Sequence, residues 1–475
     1  MLARGVVSPY LGAPLLVLIF IIWRAHHEPT TWNTFKETLS TSPFKSSGPK
    51  SGSGQGAQPS DGSQVVLPGD LTNVSPEHLP HKELKSVTTA NGDYFPIVFG
   101  DKGAINPSIL AHPQLENTYI IIAQQQRSEI NNTVWFAQLV CNANFTNGAL
   151  ACTESPTILP IAATFGGLCK DELSFFNFNI GPHDGRAFYG PNGSYVLFGS
   201  NSHYTCFGQW MQDLRVLTDW GLEWRGTEFR SATELKRHKP YGRVEKNWFV
   251  FWDKDGELYV HWDIQPKRSF ARLHPDGSVG KDLAKYAKSD KQCMARYMPH
   301  TGPKMEDHHQ ATNSLSITTC KRSDANCKAD DSNTFIINIF HFKSYHYFHG
   351  VYEPYVMLFQ QHLPLAVHAI GGKPLWINGR KQAGKGRMPN TYNETHFGPW
   401  NQTEMVYVTS ISWKAHGSRY HGYADDIMFL GFGIEDTTTG GIDIVAGDLL
   451  EDLNLCKTPQ KTPLGIGDTG YITYN

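Results

Sequence analysis

The sequence lacks an excess of either charge. Lys and Arg number 42 against 44 Asp and Glu, a net charge of −2, so the chain offers no positive field for a nucleic-acid backbone. Charge of any sign is also scarce: 18% of residues are charged while 12% are aromatic, the opposite of a disordered composition. No GxGxxG, P-loop, HExxH or GxSxG segment occurs, so dinucleotide, nucleoside triphosphate, zinc-protease and serine-hydrolase chemistry find no motif. Long amphipathic helices are missing too. The best helical stretches, Ala232–Lys239 and Gly447–Leu455, are short.

Short apolar runs rich in Tyr, Trp, Phe, Ile and Val take the place of helices. TYIIIAQQQ, SYVLFGS, FIINIFHF, EMVYVTSISW and DIMFLGFGI each have strand length, and WFVFW-DKDG-ELYVHW reads as a hairpin with Asp-Gly in its turn. With 44 Gly and 28 Pro to break the runs, an all-β fold follows. Some 380 residues of antiparallel strands are too many for one sandwich, and a β-propeller accommodates them by radial repetition.

The amino-terminal part is different. Tyr10–Trp23 is an uncharged, mostly apolar run between Arg4 and Arg24, and it ends in Phe-Ile-Ile-Trp-Arg rather than the small residues of a cleavage site. It is expected to be an uncleaved signal anchor (10–23) behind a cytosolic tail (1–9), giving a single-pass type II protein of the Golgi or endoplasmic reticulum. Residues 24–85, with the Ser/Gly/Pro-rich segment Ser40–Ser63, form a flexible stem, and 86–475 the propeller, the expected catalytic domain. All eight cysteines follow the run. Cys141/Cys152 and Cys320/Cys327 flank short loops that local disulfides could close. Sequons at Asn73, Asn131, Asn144, Asn192, Asn393 and Asn401 are candidate glycosylation sites of a lumenal body.

Polar clusters recur just before apolar strands, at INPS (105–108), GPHDGR (181–186), VEKNW (244–248), HHQATN (308–313) and HGYADD (421–426). The first four start roughly 60 to 80 residues apart. Five clusters suggest five blades, whose inner strands would bring the clusters together at the axis. GPHDGRAF, EKNWFVFWDKDGELYVHWDIQP and the C-terminal run from Ser410 to Ile444 resemble the blades of five-bladed propeller carbohydrate enzymes, the arabinase, mannoside phosphorylase and β-mannosyltransferase group. Gly185 stands where that pattern has proline. The resemblance implies a glycosyltransferase with mannose as its sugar and a glycan or glycoconjugate as acceptor. A glycoside hydrolase or phosphorylase on the same propeller is the first alternative, and a non-catalytic glycan- or protein-binding propeller the second.

Glycosyl transfer needs a carboxylate to activate a hydroxyl, and often a second carboxyl to protonate the leaving oxygen. Asp184 and Glu245, each beside a cation, are the expected pair, with Asp425 a further catalytic candidate. Asn106, Arg186, Lys246, Asn247, Trp248, His309, Asn313, Glu353 and Asp426 are the expected substrate ligands, and Trp248, Tyr352 and Trp413 the candidate sugar platforms. A nucleotide-sugar donor fits this set. The Asp253-Lys254-Asp255 motif falls in a hairpin turn where Asp is expected anyway, so no divalent metal is indicated.

Overall fold

The computed structural model describes residues 80–125, 136–162, 164, 166–218, 228–302, 306–347, 349–417 and 419–456. The expected tail and anchor, nearly all of the stem, and the sequons at Asn73 and Asn131 lie outside the described residues. Among the described residues no helix is long and apolar enough to cross a membrane.

The chain is nearly all β. Two short strands, β1 (Lys82–Leu84) and β2 (Phe95–Val98), precede five consecutive groups. The first group holds β3 (Ala104–Ala111), β4 (Tyr119–Gln125), β5 (Gln138–Thr146), β6 (Ala149–Cys152) and the short β7 (Thr157–Ile158). The second holds β8 (His183–Tyr189), β9 (Ser194–Asn201), β10 (Phe207–Asp213) and β11 (Thr233–Leu235). The third holds β12 (Phe249–Trp252), β13 (Leu258–Asp263) and β14 (Ser269–Arg272), followed by helix α1 (Asp290–Tyr297). The fourth holds β15 (Asp307–Gln310), β16 (Leu315–Thr318), β17 (Thr334–His346), β18 (His349–Gln360), β19 (Val367–Gly371) and β20 (Leu375–Ile377). The fifth holds β21 (Val406–Trp413), β22 (His421–Tyr423), β23 (Ile427–Ile434) and β24 (Thr438–Val445), and β25 (Leu453–Leu455) comes last.

Successive long strands within a group pair antiparallel as meanders, the economical use of short strands joined by tight turns. The sequence's hairpin is β12–β13, and Asp253 caps its turn by accepting from Asp255 N and Glu257 N. The first and last meanders share a seam. β2 runs antiparallel to β24 and parallel to β6. β1 pairs with β20, so Lys82–Leu84, which composition alone assigns to the stem, belongs to the folded part.

The first strand of each meander has one edge without a backbone partner, and a buried bare edge is costly. Side chains from the next group cover these edges. Ser108 Oγ accepts from Ala187 N at 3.0 Å, and Arg186 donates to Asn247 Oδ1 at 2.8 Å. Ser314 Oγ donates to Val250 O at 2.7 Å. Asn313 donates to Ile411 O and accepts from Ile411 N, both at 3.0 Å. Thr409 Oγ1 donates to Pro107 O at 2.9 Å, returning to the first group. These five links close a ring. It explains why β3, β8 and β21 are buried along nearly their whole length rather than on alternate residues.

All eight cysteines are paired: Cys141–Cys152 and Cys320–Cys327 as the spacing suggests, plus Cys169–Cys206 and Cys293–Cys456. The last joins α1 to the residue after β25 across 163 positions. Because long loops lose most entropy on closure, Cys293→Ser/Cys456→Ser is expected to cost about 2–4 kcal/mol, read by chemical denaturation. Loss of under about 0.5 kcal/mol would contradict this account. The described sequons Asn144, Asn192, Asn393 and Asn401 are all exposed.

Candidate active site

Asn106, Asp184 and Asn247 occupy equivalent places, just before or at the start of the first three meanders, and all three have left-handed backbone, at φ 55°, 48° and 62°. Asn and Asp tolerate this region better than other side chains bearing a Cβ. At the first two, strand register slips between Ile105 and Ser108 and between His183 and Arg186. Such bulges turn a side chain out of the ladder, here toward the ring axis.

Two hydrogen-bonded clusters hold the three side chains. Asn106 Nδ2 donates to Asp184 Oδ1 at 2.9 Å, and Gln124 Oε1 accepts from Asp184 N at 2.8 Å. Arg186 spans from Asn247 Oδ1 to the Tyr407 hydroxyl at 3.4 Å, and Asn247 Nδ2 meets His309 Nε2 at 2.9 Å. The rings of Phe136 and Phe207 flank His183 at centroid distances of 3.6 and 5.1 Å, holding the residue before Asp184. Tyr352, Tyr407, His309 and His341 complete an aromatic wall with ring centroids 4.7–6.0 Å apart. Asn106, Arg186, His341 and Tyr407 are buried, whereas Asp184, Asn247, His309, Lys343 and Tyr352 are half-buried.

Electrostatics sort the roles. Burial first, then the charges of Lys343, Lys246 and Arg186 with His341 beside them, hold His309 well below its usual range. His341 falls to about 3 through burial, then Arg186 and Arg380. Both imidazoles are therefore neutral hydrogen-bonding groups near neutral pH, not acids or bases. Tyr407 is pushed up to about 12 by burial, with Arg186 opposing and Asp184 reinforcing. Asp436, in the β23–β24 turn, is open to solvent yet crowded by protein. Desolvation raises its carboxyl, Asp184 and Glu435 raise it further, and Lys343 opposes. The charge of Asp184 thus reaches the Asp436 carboxyl, which holds its proton more tightly than an ordinary aspartate. Glu435 pins that turn by accepting from Arg387 N and Met405 N.

Three cations lie around these clusters. Arg186 bonds only neutral groups, Lys343 lies over the rings of Tyr345 and Tyr352, and neither makes a carboxylate ion pair among the described residues. Lys246 is exposed nearby.

Other candidates fall elsewhere. Glu245 lies two residues before Asn247, but its carboxylate turns away to Arg237 Nε and Gly242 N. Trp248 is 1% exposed and packs against Trp262 in the core, one residue past the left-handed Asn247. Trp413 is likewise core. Asn313 spends its amide on closing the ring. Glu353 follows Tyr352 on β18, so it faces the opposite side, buried against Arg380 and His81. Asp425 and Asp426 precede β23 while Asp436 follows it, and eight strand residues put roughly 27 Å between them. They bind Arg322 and Ser323 at the far end. Tyr407, His341, Lys343 and Asp436 carry no motif. The nearest sequence signal for Asp436 is the acidic pair Glu435-Asp436, which a turn explains equally well.

A Cβ on Gly433 would sit 2.4 Å from Asn106 Oδ1. Gly433→Ala is therefore expected to cost about 1–3 kcal/mol and to lower turnover, since Asn106 can move only by releasing Asp184. Unchanged turnover would separate Asn106 from the chemistry.

No family model matches the chain, and no curated protein does. Solved structures with a distant likeness include a β-1,2-mannobiose phosphorylase from Listeria innocua, at 11% identity over 78% of this chain and 96% of that one, TM-score 0.40. A GDP-Man-dependent mannosyltransferase from Leishmania mexicana follows at 10% identity, 74% and 89% coverage and TM-score 0.36. A thermostable family-43 glycoside hydrolase has 11% identity, 78% and 98% coverage and TM-score 0.31. Likeness this distant transfers no activity, and the chemistry has to come from the side chains.

Proposed function

We propose that the chain is a five-bladed propeller glycosyltransferase that moves a sugar, mannose on the sequence resemblance, from a nucleotide-sugar donor to a glycan acceptor. The observation that carries this reading is the conjunction of Asp184 with the cations Arg186, Lys246 and Lys343, at least two of them free of carboxylate partners. Asp184 takes the proton from the acceptor hydroxyl as that oxygen attacks the anomeric carbon. The sugar–phosphate bond breaks, and the leaving diphosphate is received by the cations. Neutral His309 and Asn247 hydrogen-bond sugar hydroxyls or phosphate oxygens, and Tyr352 offers its ring to a sugar face. The four disulfides support an oxidising compartment, and a Golgi or endoplasmic reticulum lumen behind a type II anchor follows from the sequence.

One observation favours a second reading. Asp436 retains its proton to higher pH than an ordinary aspartate, and a proton donor is what a glycoside or phosphorolysis substrate requires but a diphosphate leaving group does not. Purified protein supplied with nucleotide sugars, or with preformed oligosaccharide plus phosphate, separates the two. Transfer from a nucleotide sugar supports the first reading. Activity confined to the oligosaccharide overturns it. In that case the rate should fall as pH rises through the Asp436 ionisation, and Asp436→Asn should remove this alkaline limb and cost about 10²-fold or more.

A further inference from the structure

Between the β13–β14 connection and helix α1 lies a groove of about 690 Å³. Lys267, Arg268, Lys285, Lys288 and Lys291 line it, against one carboxylate, Asp290. Asp290 is already committed. Its Oδ2 accepts from Arg268 Nη1 at 2.9 Å and its Oδ1 from Val367 N at 2.8 Å. Lys267 pairs with Asp282 at 3.3 Å, but Lys285, Lys288 and Lys291 are exposed and make no ion pair among the described residues. In a chain of net charge −2, three unpaired lysines around one concavity are a local excess.

A second, independent observation lies beneath them. Arg268 is 2% exposed and lines the groove, its guanidinium between the rings of Phe270 and Phe359 at 4.3 and 4.6 Å. Its Nε donates to His261 and its Nη1 to Asp290 and Leu365 O, but Nη2 has no partner among the described residues. A buried guanidinium nitrogen left without an acceptor is costly, and an anion above it would relieve that cost. The remaining lining is Gln265 with Pro266, Ala284, Ala287, Met294 and Ala295, mostly apolar and without an aromatic ring. Such a floor suits a hydrocarbon better than a sugar or a nucleobase, both of which stack on rings.

We propose that this groove binds a phosphate ester carried on an aliphatic body, the phosphate seated among Lys285, Lys288 and Lys291 and the hydrocarbon along Ala284, Ala287 and Met294. The site is independent of the transferase reading. A lipid headgroup and a small soluble alkyl phosphate share this chemistry.

The test titrates the full chain, held in neutral-detergent micelles, with hexyl phosphate, hexanol and inorganic phosphate, read by calorimetry. Hexyl phosphate is expected to bind saturably and at least several-fold more tightly than inorganic phosphate, with hexanol silent. Lys288→Glu/Lys291→Glu, both at exposed positions, should weaken it by about thirtyfold or more. The charge-keeping pair Lys288→Arg/Lys291→Arg should retain it, and unaltered near-ultraviolet dichroism confirms folding. Neutral nanodiscs doped with phosphatidate then distinguish the sources. Lysine-dependent retention on them marks a lipid headgroup, and lysine-dependent binding of hexyl phosphate alone marks a soluble ester. No saturable binding, equal affinity for inorganic phosphate, or indifference to charge reversal would overturn the proposal.

Discussion

Asp184→Asn is expected to lower turnover by about 10²–10⁴-fold, the range for loss of a general acid–base group, while leaving the melting temperature nearly unchanged. Asparagine tolerates the left-handed backbone at φ 48° and its Oδ1 can still accept from Asn106 Nδ2, so the local fold survives. What disappears is the charge that takes the acceptor's proton. Glu245→Gln provides the contrast, because that carboxylate is engaged by Arg237 and Gly242, and activity should stay within about twofold. A large loss in the glutamine variant with none in the asparagine variant would restore Glu245 and displace Asp184. Steady-state kinetics on both proteins decide.

Glu353→Ala is expected to destabilise the fold by about 3–5 kcal/mol, the largest stability effect of any single change considered. Glu353 and Arg380 are each 4% exposed, with Oε1 and Nη2 3.1 Å apart and His81 2.6 Å from the other carboxylate oxygen. Removing the acid leaves a buried guanidinium with no carboxylate among the described residues, held by Thr403 Oγ1, Glu404 O and the Trp376 ring. The same group sets a pH dependence. Burial alone would raise its carboxyl, but Arg380 and His81 overcome that and hold it below its ordinary value. A carboxyl depressed in the folded state stabilises above the unfolded value and loses this contribution as pH falls. Stability should therefore decline below about pH 4.5, more shallowly in Glu353→Gln. Denaturant midpoints across pH measure both. A loss of activity without a loss of stability would return Glu353 to substrate binding.

Much of the fold is legible in the order of residues. Strand identity follows from short aromatic and β-branched runs, and two disulfides follow from cysteines 11 and 7 residues apart. Asn106, Asp184, Arg186, Asn247 and His309 are legible for a local reason. Each sits in a polar cluster before an apolar strand, where the chain has to turn and then enter the ring. Which way a neighbour points is not legible at that level. Asn247 faces the site and Trp248 the core because successive side chains point to opposite sides, and sequence does not say which of two neighbours takes which side. Glu353 is lost for the same reason, one step from Tyr352 on the same strand.

The carboxylates show where sequence stops. Composition and spacing point to an all-β head with two local disulfides and to Asp184 in a polar cluster before a strand, since these depend on neighbours along the chain. Only the tertiary structure decides that the charge of Asp184 reaches Asp436, 252 residues away, while Glu245, 61 residues away, is engaged by Arg237. Ring closure brings the β23–β24 turn within electrostatic reach of Asp184, while the loop before β12 turns its glutamate to Arg237. Electrostatic coupling depends on distance through space, and in a fold that closes its last meander on its first, that distance bears no relation to separation along the chain.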